Sequence, residues 1–290
     1  MKSRLAPTPS GFLHIGNLYA FAYTWLAVRK QNGQLLLRID DIDNERSRPE
    51  YLENIFEWLS QLGMHYDQGP QSSSDFLSNW SQQLRIPLYE QMLQQLVDTG
   101  HVYACDCSRK SIGENCPNGR YAGTCLHKKI PLTQAGVNWR LHIPEGSTIQ
   151  FTDQLLGPQK LKPATLIGDF IIRRRNGLPA YQIVSLADDL HFGIDHIYRG
   201  EDLLASTAAQ LYMAGLLQLQ SFLNASFSHH ALLTNEAGEK LSKSAGTTLA
   251  TPPLVNEASA KTTLAQLAQL LHINTKGKQI HCMNDLLSLV

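Results

Sequence analysis

The first forty residues constrain this chain more than any other stretch. "SRLA" (residues 3–6) has the character of a short buried strand. "PTPSG" (7–11) must then turn, because its prolines cannot serve a central strand and its glycine tolerates positive φ. After Gly16 the period changes. Leu18, Phe21, Ala22, Trp25 and Leu26 recur at helical spacing, and Gln31, Asn32 and Gly33 supply a stop. "LLLRI" (35–39) reads as a second strand buried on both faces. Strand, turn, helix and returning strand within roughly forty residues begin a parallel α/β sheet.

The mouth of that helix carries chemistry. A helix N-terminus offers free backbone N–H groups and partial positive charge, which suits phosphate. Gly16 allows close approach to the backbone, and His14 and Asn17 can donate to the same anion. The same two residues can equally be plain helix caps. Neither G-x-x-x-x-G-K-[ST] nor G-x-G-x-x-G is present. Far along the chain, "NEAGEKLSKSAG" (235–246) sets Lys240 and Lys243 in a Gly- and Ser-rich loop, a pair able to clamp a polyphosphate or simply to face solvent.

Composition removes several classes. With 43% hydrophobic and 17% charged residues the 290-residue chain can build a core, and its formal net charge of zero argues against strong non-specific nucleic-acid binding. No apolar run approaches a membrane span, and "MKSRLAPTPS" lacks the core of a signal peptide, so a cytoplasmic enzyme without membrane partners is expected. Four of the five cysteines, Cys105, Cys107, Cys116 and Cys125, fall in "YACDCSRKSIGENCPNGRYAGTCLHKK" (103–129). In a reducing compartment that clustering points to metal rather than disulfides, and by spacing alone these four are the natural tetrahedral set.

"PSGFLHIGN" and "KLSKS" together resemble the HIGH and KMSKS signatures of class I aminoacyl-tRNA synthetases. "RLAPTPSGFLHIG", "LLLRIDDID", "GLPAYQIVSLADDLHFGIDHIYRGEDLLAST" and "GEKLSKS" extend the likeness to the glutamyl branch, in that branch's order. Residues 247–290, all that follows, are too few for an anticodon-binding domain, so the chain resembles the truncated glutamyl-queuosine tRNA(Asp) synthetase family. The resemblance implies glutamate activation by ATP with Mg²⁺ and without tRNA. Glutamate then passes to the queuosine base in the anticodon of tRNA(Asp). It makes Arg4, Thr8, Asp40, Tyr181 and Arg199 the glutamate contacts. Asp40 stands where the family has glutamate, one methylene shorter. His14, Gly16, Asn17, Lys240 and Lys243 become the ATP contacts, with His14 and Lys243 catalytic. The family's zinc pattern, Cys-x-Cys then Tyr-x3-Cys, falls on Cys105, Cys107, Tyr121 and Cys125. Structural Zn²⁺ is therefore expected there, with Cys116 as a rival to Tyr121 and His127 as a weaker candidate.

The expected layout is a Rossmann-like α/β catalytic domain split into 1–102 and 176–245, a zinc-bearing acceptor insertion over 103–175, and a helical C-terminal segment over 246–290. "PEYLENIFEWLSQLGM", "IPLYEQMLQQLVDTG" and "ASAKTTLAQLAQLLHI" read as amphipathic helices. "NWRLHI" and "DFIIRRR" read as strands, and "AYQIVSLADDL" and "HIYRGEDL" continue the catalytic sheet. Arg173, Arg174 and Arg175 form the densest basic run, either a solvated strand end or a nucleic-acid contact. A monomer is expected. Two rival activities remain: a short glutamyl-tRNA synthetase charging a tRNA 3′ end, and a non-catalytic amino-acid- or RNA-binding paralogue. An adenylate-forming ligase with a non-tRNA acceptor is a further alternative.

Overall fold

The computed structural model describes residues 1–108, 110–112, 120, 121, 123–233 and 255–290. Cys116, Lys240 and Lys243 lie outside the described residues. In chain order the main elements are β1 (Lys2–Leu5), α1 (Ile15–Lys30), β2 (Gln34–Leu37), α2 (Pro49–Gln61), α3 (Ile86–Asp98), β3 (Val102–Cys105) and β4 (Asn138–Leu141). Then follow β5 (Ile149–Asp153), β6 (Gly157–Leu161), β7 (Phe170–Arg173), α4 (Tyr181–His191), β8 (His196–Gly200), α5 (Leu204–Leu216), β9 (Ser226–His230), α6 (Glu257–Leu270) and α7 (Met283–Leu287). Among the described residues no helix is long and apolar enough to cross a membrane.

Two compact units emerge. The first comprises residues 1–84, 196–201 and 230–290. β1 and β2 pair in parallel, Arg4 opposite Leu36 and Leu5 opposite Leu37, with α1 as the crossover the sequence predicts. Leu18, Phe21, Trp25 and Val28 of α1 join Leu35 and Leu37 in the core, and the Trp25 indole N–H donates to the His65 carbonyl at 2.9 Å. Asn32 takes up φ 51° just past the helix, as its stop signal implies. Gly69 has φ +127°, and a Cβ there would meet the Leu37 carbonyl oxygen at 2.5 Å, so the segment beside β2 requires glycine.

The second unit comprises residues 85–195 and 202–229. β4 is the centre of an antiparallel sheet between β3 and β7. β5 and β6 form an antiparallel hairpin, and Asp153 of β5 meets Phe227 of β9 in parallel pairing. α4 carries Asp188, fully buried, whose carboxylate accepts both arms of the Arg85 guanidinium at 2.8 and 3.0 Å and the Tyr89 hydroxyl of α3 at 2.8 Å.

One expectation meets a different outcome. "AYQIVSLADDL" is not strand but helix α4. Residues 183–189 are all buried, Ser185, Asp188 and Asp189 included, and the β-branched Ile183 and Val184 give the run a strand-like character. Residues 85–102 and 176–195 group with the cysteine segment in the second unit. Ala260, Leu264, Leu267, Met283 and Leu286 of α6 and α7 enter the first unit's core.

Candidate active site and metal cluster

The turn after β1 runs beside the chain leaving β2. Leu5 O accepts from Arg38 N at 2.9 Å and Pro7 O from Asp40 N at 2.8 Å. This continues the parallel pairing past the strand ends and sets "PTPSG" against "RIDD". Leu13 N donates to the buried Asn54 carboxamide of α2 at 3.0 Å, which fixes the turn from the other side. A cavity of about 280 Å³ opens here, lined by Pro7, Thr8, Ser10, Gly11, Asn17 and Phe21 among others.

His14 is the N-cap of α1. Its Nδ1 accepts from Gly16 N at 3.1 Å, and the Asn17 side chain accepts from His14 N at 3.3 Å. The capping function is therefore real for both residues. It does not exhaust them. Nδ1 acting as acceptor fixes the neutral tautomer with its proton on Nε2, a donor suited to phosphate. The Asn17 amide nitrogen remains a donor as well. The two functions separate experimentally. His14→Asn keeps a good N-cap, so stability should stay within about 0.5 kcal/mol of wild type. Glutamate-dependent ATP–pyrophosphate exchange should fall sharply. Equal loss in a thermal melt and in exchange would show a cap and nothing more.

Three arginines of this unit, Arg4, Arg38 and Arg199, are buried, together with Asp40 and Asp41. Their formal sum is one positive charge. Free glutamate carries one net negative charge, equal in size and opposite in sign. Arg4 Nη1 reaches the Tyr198 carbonyl at 3.3 Å, and Arg199 follows one residue later on β8. Asp40 holds the Arg38 fork at 2.7 and 3.0 Å and also accepts from Gln82 Nε2 at 3.2 Å. Asp41 accepts from Ser81 Oγ at 2.5 Å and Gln82 N at 2.7 Å. Arg38, Ser81 and Gln82 escaped the sequence reading; only "RIDD" itself hinted that an arginine two residues before an aspartate could brace it. Thr8 is exposed beside the cavity. Tyr181 belongs to the second unit, as the first residue of α4.

The cysteine segment forms a tight cluster within the second unit. The sulfurs of Cys105, Cys107 and Cys125 lie within 4.8 Å of one another. Tyr121 Oη is 3.3 Å from Cys105 Sγ and 3.6 Å from Cys107 Sγ, and Cys107 and Cys125 sulfurs are 3.4 Å apart. The Cys125 backbone N–H donates to Tyr121 Oη at 2.9 Å, which fixes the oxygen beside the sulfurs. A tetrahedral ion with metal–sulfur bonds near 2.3 Å has ligand–ligand edges of roughly 3.8 Å, so one S₃O set around one ion fits. Burial pushes the Cys107 thiol up to about 11 and raises the Tyr121 phenol well above its ordinary value. Cys105 goes the other way. Burial opposes its ionisation, but hydrogen bonds from Tyr121 and the adjacent Arg140 guanidinium outweigh it. A bound cation would favour the ionised form of every ligand. His127 is not in this cluster.

Residues 1–286 match the family described as tRNA synthetases class I (E and Q), catalytic domain. The chain belongs to this family. A glutamyl-Q tRNA(Asp) synthetase of Cupriavidus metallidurans is 38% identical over 257 residues, 84% of this chain and 77% of that protein. One from Pseudomonas putida (strain W619) is 38% identical over 261 residues, covering 90% and 81%. A glutamate–tRNA ligase of Symbiobacterium thermophilum is 35% identical over 259 residues, and the match spans 53% of its length. The crystal structure of a glutamate-tRNA synthetase from Elizabethkingia anophelis superposes with a TM-score of 0.79 at 22% identity, over 100% of this chain and 65% of that one. At that identity the superposition establishes the fold. The chain is thus a ligase of the class I synthetase type, and the His14 helix mouth sits in its family catalytic domain.

Proposed function

We propose that this synthetase condenses glutamate with ATP and passes the glutamyl group to the queuosine base of tRNA(Asp), in the cytoplasm. The observation that carries the reading is the match to glutamyl-Q tRNA(Asp) synthetases over 77–81% of their own length. The buried charge set is consistent with the amino acid. Arg4 and Arg199 bind carboxylate, for which a guanidinium fork is suited. Asp40, braced by Arg38 and Gln82, receives the α-ammonium, and Thr8 adds a hydroxyl from the cavity wall. Tyr181 is a further glutamate contact by the resemblance.

The glutamate α-carboxylate oxygen attacks the α-phosphorus of ATP, and the bond to pyrophosphate breaks. A nucleoside hydroxyl then attacks the activated carbonyl; AMP leaves and the hydroxyl proton goes with it. The first step requires placement and charge stabilisation rather than a protein nucleophile. His14 Nε2 and the Asn17 amide hold phosphate at the helix mouth, and Gly16, lacking a side chain, lets ATP approach the backbone there. Lys240 and Lys243 offset charge moving towards pyrophosphate. Mg²⁺ enters with ATP, since dehydrated all-protein Mg²⁺ cages are uncommon. Cys105, Cys107, Tyr121 and Cys125 hold Zn²⁺, which pins a loop-rich segment that has little core of its own.

The test is transfer of labelled glutamate with ATP to tRNA(Asp) carrying queuosine, tRNA(Asp) lacking it, and tRNA(Glu). Label confined to the queuosine-containing tRNA is expected. Label on tRNA(Glu) would favour the second reading, a tRNA-charging ligase, which the 35% identity to the Symbiobacterium enzyme keeps in view. Absence of glutamate-dependent exchange would make the chain a binding protein.

A further inference from the structure

Arg140 lies at the middle of β4, opposite Tyr103 of β3. It is 4% exposed. Its guanidinium carbon stands 3.7 Å from the centre of the Tyr121 ring. Nη1 donates to the Asp169 carbonyl at 2.7 Å, while Nε is buried and meets no acceptor. Cys105 stands two residues along β3 from Tyr103, on the same face of the strand. Among the described residues Arg140 forms no ion pair with a carboxylate. Asp169, whose carbonyl it binds, turns its carboxylate to Tyr103 Oη, His142 Nδ1 and Ile143 N.

A guanidinium cannot shed its charge, and burying one without an anion is strongly unfavourable. The missing anion is adjacent. Three thiolates around one divalent ion would leave the loaded cluster net negative, beside a buried guanidinium that pairs with no carboxylate among the described residues.

We propose that Arg140 is the buried counter-ion of the metal-loaded Cys105–Cys107–Tyr121–Cys125 cluster and the residue that fixes the Tyr121 side chain in place beside the three sulfurs. It acts through Tyr121 and Cys105, as a positioning residue. The planar guanidinium stacked on the ring suits this task because the ring face is electron-rich. Lysine would supply charge without the stack. Arg175 supports the same loop from outside, its Nη2 donating to the Cys107 carbonyl at 3.0 Å.

The inference rests on the metal reading above, and the experiment separates the two. The metal-free chain is titrated with Zn²⁺ in competition with a chromophoric chelator, while tyrosinate absorbance is followed at neutral pH. Wild type should bind one equivalent with a tyrosinate signal that Tyr121→Phe abolishes. Arg140→Met should bind at least tenfold more weakly and lose that signal, with Arg140→Lys between the two. Wild-type affinity and an intact signal in Arg140→Met would overturn the proposal and leave the metal site standing. If wild type itself binds no Zn²⁺, both readings fall. Should Arg140→Met not fold, Arg140→Lys decides: weaker binding with a reduced signal supports the proposal, and wild-type values refute it.

Discussion

Arg4→Met is expected to raise the KM for glutamate by roughly a hundred-fold or more in ATP–pyrophosphate exchange, and to leave the KM for ATP close to wild type. Removing one partner of a desolvated charge pair typically costs about 2–5 kcal/mol, and about 2.7 kcal/mol is already a hundred-fold. Arg4 is 5% exposed in the same buried set as Arg38, Asp40 and Arg199. Methionine keeps much of the volume and adds no polar group, so the fold should persist. Arg4→Lys should recover only part of the loss, because an ammonium cannot give a carboxylate two parallel bonds. A variant with unchanged glutamate KM would make Arg4 a structural residue and reopen the amino-acid assignment.

Asp153→Ala is expected to destabilise the second unit by about 3–5 kcal/mol, the range for breaking a buried, hydrogen-bonded charge. The Asp153 carboxylate and His229 side chain are fully buried. Asp153 Oδ2 lies 2.6 Å from His229 Nδ1, and Oδ1 accepts from the backbone of Leu155 and Leu156 at 3.0 Å and of His229 at 3.2 Å. His229 Nε2 continues to Thr207 Oγ1 at 2.8 Å. One carboxylate thus fastens the β5–β6 turn to β9 and, through the imidazole, to α5. Burial raises the Asp153 carboxyl, but the hydrogen bonds from His229, Leu156 and Leu155 outweigh it and hold it below the ordinary carboxylate range. A depressed folded-state pKa stabilises the fold above the unfolded value, near pH 4, and that contribution disappears as pH falls through the folded value. Wild type should therefore lose stability below about pH 4 in urea melts, and Asp153→Ala should show a flatter acid limb from a lower plateau. Parallel acid limbs in the two proteins would assign the acid sensitivity elsewhere.

The sequence by itself determined what is local or motif-bound. The β1–turn–α1–β2 unit was legible because apolar period, two prolines and an Asn-Gly stop act within a few residues of where they stand. Helices α2, α3 and α6 were legible for the same reason. The gathering of Cys105, Cys107, Tyr121 and Cys125 followed from ligand spacing seen through a family resemblance. Spacing alone would have chosen Cys116, which lies outside the described residues. Tertiary structure alone decided the rest. α4 became a helix because tertiary burial overrode the local strand preference of Ile183 and Val184. Arg85 finds Asp188 across 103 residues, His229 finds Asp153 across 76, and Gln82 finds Asp40 across 42. In sequence each of these is an ordinary polar residue that could sit in water. Only the fold removes the water, and in doing so it turns a surface residue type into a buried charge that must have a partner.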